Sequence, residues 1–399
     1  MMGAETITLG CRLNFAESET MRALAGDDTI IVNSCAVTNE AVRQTRQAIR
    51  RAHRERPDKR IFVTGCAVQL NADTFAAMPE VDRVIGNADK YLAASFHRDA
   101  PSLVSDVMTA PAPTVAAGFL QRVRSFVAIQ TGCDHRCTFC SIWQARGPSR
   151  SLPYEAVRSA VQRELDAGAR EIVLTGVDIT SYEPSLGLLC QQLLRDLPAL
   201  RRLRLSSLDS IEIDDVLLEL VAGEQRMLPH FHLSLQAGDD LILKRMKRRH
   251  SRAQAVATIE RLRAARSDVT IGADLIAGFP TESEDAAANT RALIDDCAIV
   301  TAHVFPFSPR PNTPAARMPQ LDRGLIKARA AQLREAAARR RSDWLDSLIG
   351  TRQTVLIENG AKGHSDGFAP VRIEGSRRGE LGMAKIIGRT EDLLIGEFE

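Results

Sequence analysis

The first hundred residues alternate between short apolar runs and longer segments with helical periodicity. The apolar runs ETITLGC, DDTIIVNSC and KRIFVTGC end at or just before Cys11, Cys35 and Cys66. The intervals between them suit a strand, a helix and a return to a parallel strand. Right-handed crossovers place the three strand ends at one edge of an open sheet, where such sheets bind ligands. We therefore expect the three thiols to lie close together.

Six further strand-like runs follow, separated by segments with helical period. They are VRSFVAIQ, EIVLTG, LRRLRLSSL, PHFHLSLQ, DVTIGADLIAGFP and TAHVFPF. Six strands joined by helical crossovers predict a partial or complete α/β barrel, in which chemistry gathers at the carboxyl ends of the strands. A long helix rich in Arg and Ala, about 321 to 347, follows the last of these runs.

The chain changes character at two further places. Residues 101–119 lose their charge and gain Pro and Ala, which predicts a linker. Residues 348–399 hold short strand-like runs joined by Gly-rich turns, which predicts a small β-barrel. The expected fold is thus α/β, with an N-terminal parallel α/β sheet domain over 1–100, a central partial (β/α)6 barrel over 120–347 and a small C-terminal β-barrel over 348–399.

The composition is that of an ordinary soluble protein. Of 399 residues, 44% are hydrophobic and 26% are charged, and the net charge is +2. No apolar run approaches the roughly 20 residues that a membrane helix requires, and the N-terminus lacks the pattern of a secretory signal. We therefore expect a cytoplasmic protein with no membrane partner. The eight cysteines are then expected to bind metal or act in catalysis rather than form disulfides.

A second cysteine cluster, TGCDHRCTFC, follows directly on the first strand of the predicted barrel. Cys133, Cys137 and Cys140 supply three soft ligands from one tight loop, which favours an iron–sulfur cluster or zinc. A closed site needs four ligands, and His135 is a candidate for the fourth ligand of zinc. An iron–sulfur catalyst instead needs one open iron where a small molecule binds. The spacing alone leaves both metals open.

The pattern C-x3-C-x-aromatic-C, with Phe139 before Cys140, at the end of the first barrel strand resembles the radical S-adenosylmethionine (SAM) superfamily. The resemblance implies that these cysteines hold a [4Fe–4S] cluster whose fourth iron site chelates SAM, and that His135 is a loop residue. It also implies cofactor contacts from residues at later strand ends. These residues are Thr175, Gly176, Asp178, Ser206, Ser234, Gln236 and Gly278.

TLGCRLNFAESE, VNSCAVTNEA and VTGCAVQL resemble the second cluster site of the methylthiotransferases, a branch of that superfamily. The resemblance implies a second [4Fe–4S] cluster on Cys11, Cys35 and Cys66, two SAM per turnover, a sulfur donor and an electron donor such as a flavodoxin or ferredoxin. One cluster gives an electron to SAM, whose 5′-deoxyadenosyl radical attacks the substrate, and the other delivers a methylated sulfur. Cys190 and Cys297 show no such partners and are predicted to be core residues.

ARGPSRS, HFHLSLQAGDDLILKRMKRR and HVFPFSPRPNTPAARM are most similar to the MtaB type of that branch. This similarity implies methylthiolation at C2 of N6-threonylcarbamoyladenosine at position 37 of tRNA. Isopentenyladenosine in tRNA and an aspartate of a ribosomal protein are alternative substrates within the branch. The alternative from another class is a non-catalytic, metal-containing RNA-binding protein. The chain departs from the type at residues 14–17 and at Ile142-Trp143-Gln144, the latter beside the cluster loop.

Basic runs and the C-terminal barrel predict contacts with tRNA. The barrel resembles the TRAM module, an RNA-binding appendage of these enzymes, although its loop GHSDGFAPV keeps only one aromatic residue. A structural cap is the alternative role for this barrel. The basic residues lie in the predicted helix after Cys35 and in LKRMKRRHSR. The candidate RNA-binding residues are Arg43, Arg46, Arg50, Lys244, Lys247, Arg248 and Phe368.

Overall fold

The structure of the protein is a computed structural model that describes residues 3–97, 99–111, 113 and 122–399. Residues 112 and 114–119 of the predicted linker lie outside the described residues, and so does the predicted start of the central barrel at residue 120. The predicted fold class is confirmed, because a parallel sheet, a partial α/β barrel and a closed β-barrel follow one another along the chain. No helix in the described ranges is long and apolar enough to cross a membrane.

The N-terminal domain is a parallel sheet with helices between its strands. Its elements are β1 (Glu5–Thr8), α1 (Arg12–Leu24), β2 (Thr29–Ser34), α2 (Asn39–Glu55), β3 (Arg60–Gly65), α3 (Cys66–Leu70), α4 (Ala72–Ala76) and β4 (Arg83–Val84). The strands pair in the order β1-β2-β3-β4. Ile49 and Ala52, one turn apart on α2, pack on the apolar face of the sheet. All three strand–cysteine junctions therefore open at one edge, as the sequence predicted.

The described part of the predicted linker packs against this domain. Leu103 pairs with Ile85 beside the sheet, and Val107 is 3% exposed. The backbone N–H of Gly86 donates a hydrogen bond of 2.7 Å to the carbonyl of Leu103. The backbone at Leu103 is thus joined to the N-terminal sheet, whereas the carbonyl of Val107 accepts a hydrogen bond of 3.4 Å from Arg150, farther along the chain.

Each of the six predicted barrel runs forms a strand. The elements of the central domain are β5 (Arg124–Ala128), β6 (Gln130–Thr131), α5 (Ile142–Arg146), β7 (Arg150–Ser151), α6 (Tyr154–Asp166), β8 (Glu171–Thr175), α7 (Leu186–Asp196), β9 (Leu203–Leu205), α8 (Asp215–Gly223), β10 (His230–Gln236), α9 (Asp240–Met246), α10 (Arg252–Ala265), β11 (Thr270–Ala277), α11 (Glu284–Asp296), β12 (Ile299–Pro306) and α12 (Arg323–Ser347).

These barrel strands form two parallel sheets that curve into a partial barrel. The sheets have the orders β5-β8-β9 and β10-β11-β12, and a parallel bridge from Leu208 to Leu233 joins them. The main apolar core of the protein fills the space between these strands and the surrounding helices. Cys190 and Cys297 are fully buried in this core, which confirms their predicted role.

The C-terminal domain is a closed barrel of β13 (Arg352–Asn359), β14 (Lys362–Ser365), β15 (Pro370–Arg372), β16 (Leu381–Arg389) and β17 (Leu394–Phe398). The strands close in the order β13-β14-β15-β17-β16. Leu345, near the end of α12, is part of its core. Ion pairs from Arg124 to Glu358 (3.1 Å) and from Arg202 to Asp366 fix this barrel against the central domain.

Candidate active site

A cavity of about 710 Å³ lies between the N-terminal sheet and the carboxyl ends of the barrel strands, and we call it the central cavity. Cys11, Cys35 and Cys66 line one side, and Phe368 of the C-terminal barrel lines another. The barrel side contains five residues that the sequence assigned to cofactor binding. They are Thr175, Gly176, Ser206, Ser234 and Gln236. The volume is typical of a pocket for a small molecule or a nucleoside.

The approach of the N-terminal thiols depends on Gly10. Its φ is +100°, and a Cβ atom there would lie 2.8 Å from the Cys35 sulfur. A side chain at this position would therefore force the Cys11 loop away from Cys35. Burial, together with the neighbouring Cys66 and Cys11, raises the pKa of the Cys35 thiol to about 11. Three thiols that line one wall of a cavity are suited to binding an iron–sulfur cluster.

Arg146, at the end of α5, reaches from the central domain to the N-terminal cysteines. Its Nε donates to the sulfur of Cys66 at 3.2 Å, and its Nη2 donates to Asn14 at 2.7 Å. Its Nη1 donates to Glu17 at 2.7 Å, and Lys90 also pairs with Glu17 at 2.6 Å. Burial alone would raise the pKa of Glu17, but Arg146 and Lys90 lower it to about 2. The buried cations Arg146 and Lys90 thus share the single carboxylate of Glu17. One positive charge therefore remains beside the Cys66 sulfur.

The second cysteine cluster is surrounded by polar groups from the barrel. Nη1 of Arg248 donates to the sulfur of Cys137 at 3.6 Å, and the backbone N–H of Ile142 donates to the sulfur of Cys140 at 3.4 Å. Burial raises the pKa of Cys140 to about 12. Among the described residues, the buried Nε of Arg248 has no hydrogen-bond partner. A positive charge and an unsatisfied donor next to thiols fit a bound cluster whose sulfurs accept hydrogen bonds.

The imidazole ring of His135 lies among the carboxylates of three acidic residues. Its Nε2 lies 2.7 Å from Asp178, and Asp209 and Glu212 lie 3.6 Å from its ring nitrogens. Burial lowers the pKa of His135, but the hydrogen bonds with Asp178 and Glu212 raise it to about 10. Ligand atoms of His135, Asp178 and Cys133 also lie within 4.8 Å of one another, close enough to share a metal ion. The loop role of His135 stays a prediction.

Asp178 and Gly278 differ from the other predicted cofactor residues, since neither lines the central cavity. The carboxylate of Asp178 lies beside His135 and 3.8 Å from the sulfur of Cys133. The backbone N–H of Gly278 donates to Glu282, and a Cβ at this glycine would lie 2.7 Å from Ile326. Gly278 therefore has a packing role that accounts for its residue type without a ligand.

The sequence prediction missed several polar residues of the central cavity. Nε2 of His232 lies 2.9 Å from Asp274, and Nδ1 of His303 lies 3.1 Å from the same oxygen. All three side chains line the cavity. A signal was present in β10, where His230, His232, Ser234 and Gln236 recur with period two and so share one face.

Arg12 is a further residue of the cavity wall that the sequence prediction missed. It is the first residue of α1 and directly follows Cys11. Burial lowers the pKa of Arg12 to about 10, and the neighbouring Arg124 and Arg204 contribute to the shift. The low pKa indicates a guanidinium in an environment that is already positive and partly shielded from water.

The predicted RNA-binding residues fall into three structural settings. Arg43 and Arg50 are exposed on α2, which begins at the cavity, where Thr38 and Ala41 line the wall. They pair with Glu40 and Glu80, respectively, and Arg46 lies over the ring of Phe75. Lys244 and Lys247 are exposed at the end of α9.

Arg248 and Phe368 occupy interior positions. The Arg248 side chain is 6% exposed and bonds to Asp209, so it offers little surface to RNA. The Phe368 ring stacks on His230 and His364, with ring centres 5.0 and 4.5 Å apart. Its φ of +70° is unusual for an aromatic residue and indicates that the surroundings hold it in place. Phe368 thus contributes to the wall of the central cavity.

Two protein-family models match the chain. The Radical SAM superfamily model matches residues 127–294, and the model described as "Uncharacterized protein family UPF0004" matches residues 4–86. The fold agrees with solved structures of the radical SAM methyltransferase TsrM from Kitasatospora setae. One has a TM-score of 0.53 at 13% identity and covers 86% of this chain and 73% of that chain. The Radical SAM match and the three-cysteine loop identify a radical SAM enzyme, which uses SAM and an iron–sulfur cluster.

Similar curated proteins narrow this class. "Threonylcarbamoyladenosine tRNA methylthiotransferase MtaB" of Rickettsia prowazekii is 43% identical over 97% of this chain and 95% of its own length. The protein of the same name from Bacillus subtilis is 33% identical over 82% of this chain and 78% of its own length. A "tRNA-2-methylthio-N(6)-dimethylallyladenosine synthase" of Sorangium cellulosum is 30% identical over 98% of this chain and 88% of its own length. The chain belongs to the MtaB-type family of radical SAM methylthiotransferases.

Proposed function

We propose that the protein methylthiolates C2 of N6-threonylcarbamoyladenosine at position 37 of tRNA, giving 2-methylthio-N6-threonylcarbamoyladenosine, with two SAM and two [4Fe–4S] clusters. The observation that carries this proposal is the central cavity, which has the thiols of Cys11, Cys35 and Cys66 on one wall and the barrel strand ends on the other. A single nucleoside in this space would face both the N-terminal thiols and the carboxyl ends of the barrel strands.

Radical chemistry suits this substrate because the C2–H bond of adenine is too weakly acidic for an ordinary side-chain base. When bound, a cluster on Cys133, Cys137 and Cys140 supplies the electron that cleaves SAM, and a cluster on Cys11, Cys35 and Cys66 supplies the position from which sulfur is transferred. The chain positions these groups and excludes water. Arg146 and Arg248 place positive charge next to one thiol in each set.

Support for tRNA as the partner comes from the surface and from the relatives. The exposed Arg43 and Arg50 extend along α2 from the cavity, and Lys244 and Lys247 form a second basic site on the barrel. Positive charge of this kind contacts the phosphate backbone without sequence preference. Both the MtaB proteins and the dimethylallyladenosine synthase are named for modified adenosines in tRNA. The higher identity to MtaB favours the threonylcarbamoyl group over the dimethylallyl group.

Mass spectrometry of tRNA nucleosides from a deletion strain tests the proposed substrate. We expect 2-methylthio-N6-threonylcarbamoyladenosine to disappear and N6-threonylcarbamoyladenosine to accumulate, with recovery when the wild-type gene is restored. Restoring the Cys137→Ala variant serves as the control and should not rescue the modification. Retention of the methylthio nucleoside in a strain with no second enzyme of this type would reject the substrate, and loss of a methylthio-isopentenyl nucleoside instead would assign the alternative.

A further inference from the structure

The guanidinium of Arg12 forms no ion pair with a carboxylate in the part of the chain that the structure describes. Its guanidinium lines the central cavity, 5.3 Å from the ring centre of Phe126 and 6.0 Å from that of Phe368. Within residues 3–97, 99–111, 113 and 122–399, no carboxylate or other acceptor forms a hydrogen bond with it. A guanidinium carries five N–H donors in a fixed plane. Arg12 thus presents hydrogen-bond donors to the cavity that have no acceptor among the described residues.

The neighbouring arginines are already paired, which sets Arg12 apart. Arg204, Arg202 and Arg124 lie at the junction between the central domain and the C-terminal barrel. Their pairs are Arg204–Glu171 (2.8 Å), Arg202–Glu171 (3.0 Å), Arg202–Asp366 and Arg124–Glu358 (3.1 Å). With Arg12, four guanidinium groups share three carboxylates among the described residues. One positive charge is left over, and Arg12 is the group that faces the cavity without a partner.

This excess charge matches one chemical feature of the proposed substrate. In N6-threonylcarbamoyladenosine, threonine is joined to N6 through its amino nitrogen and a carbonyl, so its carboxylate stays free. A carboxylate accepts two parallel hydrogen bonds from one guanidinium. An isopentenyl or dimethylallyl group is a hydrocarbon and offers no acceptor. The two classes of substrate therefore differ in whether they carry a carboxylate, which is the group that a guanidinium binds best.

We propose that Arg12 binds the carboxylate of the threonylcarbamoyl group and thereby makes the enzyme select this nucleoside over one with a hydrocarbon substituent on N6. The inference rests on the proposed function and adds a specificity-determining residue to it. The rings of Phe126 and Phe368 shield the guanidinium from water, which strengthens an ion pair formed there. A hydrocarbon substituent would leave the shielded charge unpaired, and sites of this kind reject such analogues strongly.

The test compares Arg12→Gln with the wild type in the reconstituted, full-length enzyme. The substrates are one tRNA carrying N6-threonylcarbamoyladenosine, the same tRNA carrying N6-isopentenyladenosine and the same tRNA with unmodified adenosine. We expect kcat/KM on the threonylcarbamoyl substrate to fall roughly 10- to 100-fold, mainly through KM, because a charged hydrogen-bonded pair is lost. Binding of the unmodified tRNA should not change, and Arg12→Lys should retain part of the preference because it keeps the charge but not the planar fork.

The controls separate recognition from damage to the enzyme. Arg22→Gln removes an exposed arginine from the same helix and should match the wild type. Iron content should also match the wild type in Arg12→Gln. If Arg12→Gln loses iron, the same comparison of substrates is made between Arg12→Lys and the wild type.

Equal weakening of all three tRNAs would assign Arg12 to a backbone phosphate and overturn the inference. An unchanged preference in Arg12→Gln would also overturn it. A wild-type enzyme that leaves N6-threonylcarbamoyladenosine unmodified would instead refute the proposed function. In that case the dissociation constants of the tRNAs test the role of Arg12 separately. The inference requires the wild type to bind the threonylcarbamoyl tRNA more tightly than the unmodified tRNA, and it requires Arg12→Gln to bind the two equally.

Discussion

Replacing Cys137 with Ala is expected to abolish both the cleavage of SAM and the methylthiolation of tRNA. Cys137 is 7% exposed, lies in the loop after β5 and β6 and receives a hydrogen bond from Arg248. With one of three thiolates removed from this loop, the remaining two cannot hold a cluster with a single open iron. The measurement is anaerobic, with dithionite as reductant, and quantifies 5′-deoxyadenosine by chromatography and the modified nucleoside by mass spectrometry.

Cys190→Ala is the matched control for Cys137→Ala. Cys190 is fully buried in the apolar core on α7, and it is expected to retain both activities at a modest cost in stability. If Cys137→Ala still formed 5′-deoxyadenosine at the wild-type rate, the assignment of the second cysteine cluster to SAM cleavage would be wrong. If both variants lost activity equally, the loss would reflect folding rather than chemistry.

Replacing Cys35 with Ala is expected to separate the two activities. The change removes one thiolate from the N-terminal set that follows β1, β2 and β3, whereas Cys133, Cys137 and Cys140 remain in the barrel. We therefore expect the formation of 5′-deoxyadenosine to continue and the methylthiolated nucleoside to fall below detection. The two products are measured in the same reaction mixture.

Cys297→Ala provides the control for Cys35→Ala, since Cys297 is equally a buried thiol but lies in the barrel core. It should give both products. Loss of both activities to the same extent in Cys35→Ala would contradict the division of labour between the two cysteine sets. Retention of methylthiolation would show that Cys35 holds no essential group.

The sequence predicted those parts of the site that follow from local patterns. The parallel strands β1, β2 and β3 had to end at one edge, so the convergence of Cys11, Cys35 and Cys66 on one cavity was predictable from spacing. The positions of Ser234 and Gln236 were predictable for a similar reason, because both lie at the carboxyl end of a barrel strand. The same period-two pattern pointed to His232, but a histidine within a strand is more often a structural residue.

Contacts between distant segments could not be read from the sequence. Arg146 reaches Cys66 and Glu17 only because α5 packs against the N-terminal domain. Arg248 belongs to a basic run that suggested an exposed surface. The run turns at Lys247, which adopts a left-handed conformation with φ of +60°, and Arg248 then points inward to Asp209. Such turns depend on tertiary packing, which a charge pattern does not encode.

The central claim is that one chain holds two clusters, one on each set of three cysteines, and an anaerobic count of iron and sulfide tests it most directly. We expect about eight irons and eight sulfides per wild-type chain. The variant with Cys11, Cys35 and Cys66 all replaced by Ala should hold about four of each and still cleave SAM. About four irons in the wild type, or about one zinc and no sulfide, would contradict the account.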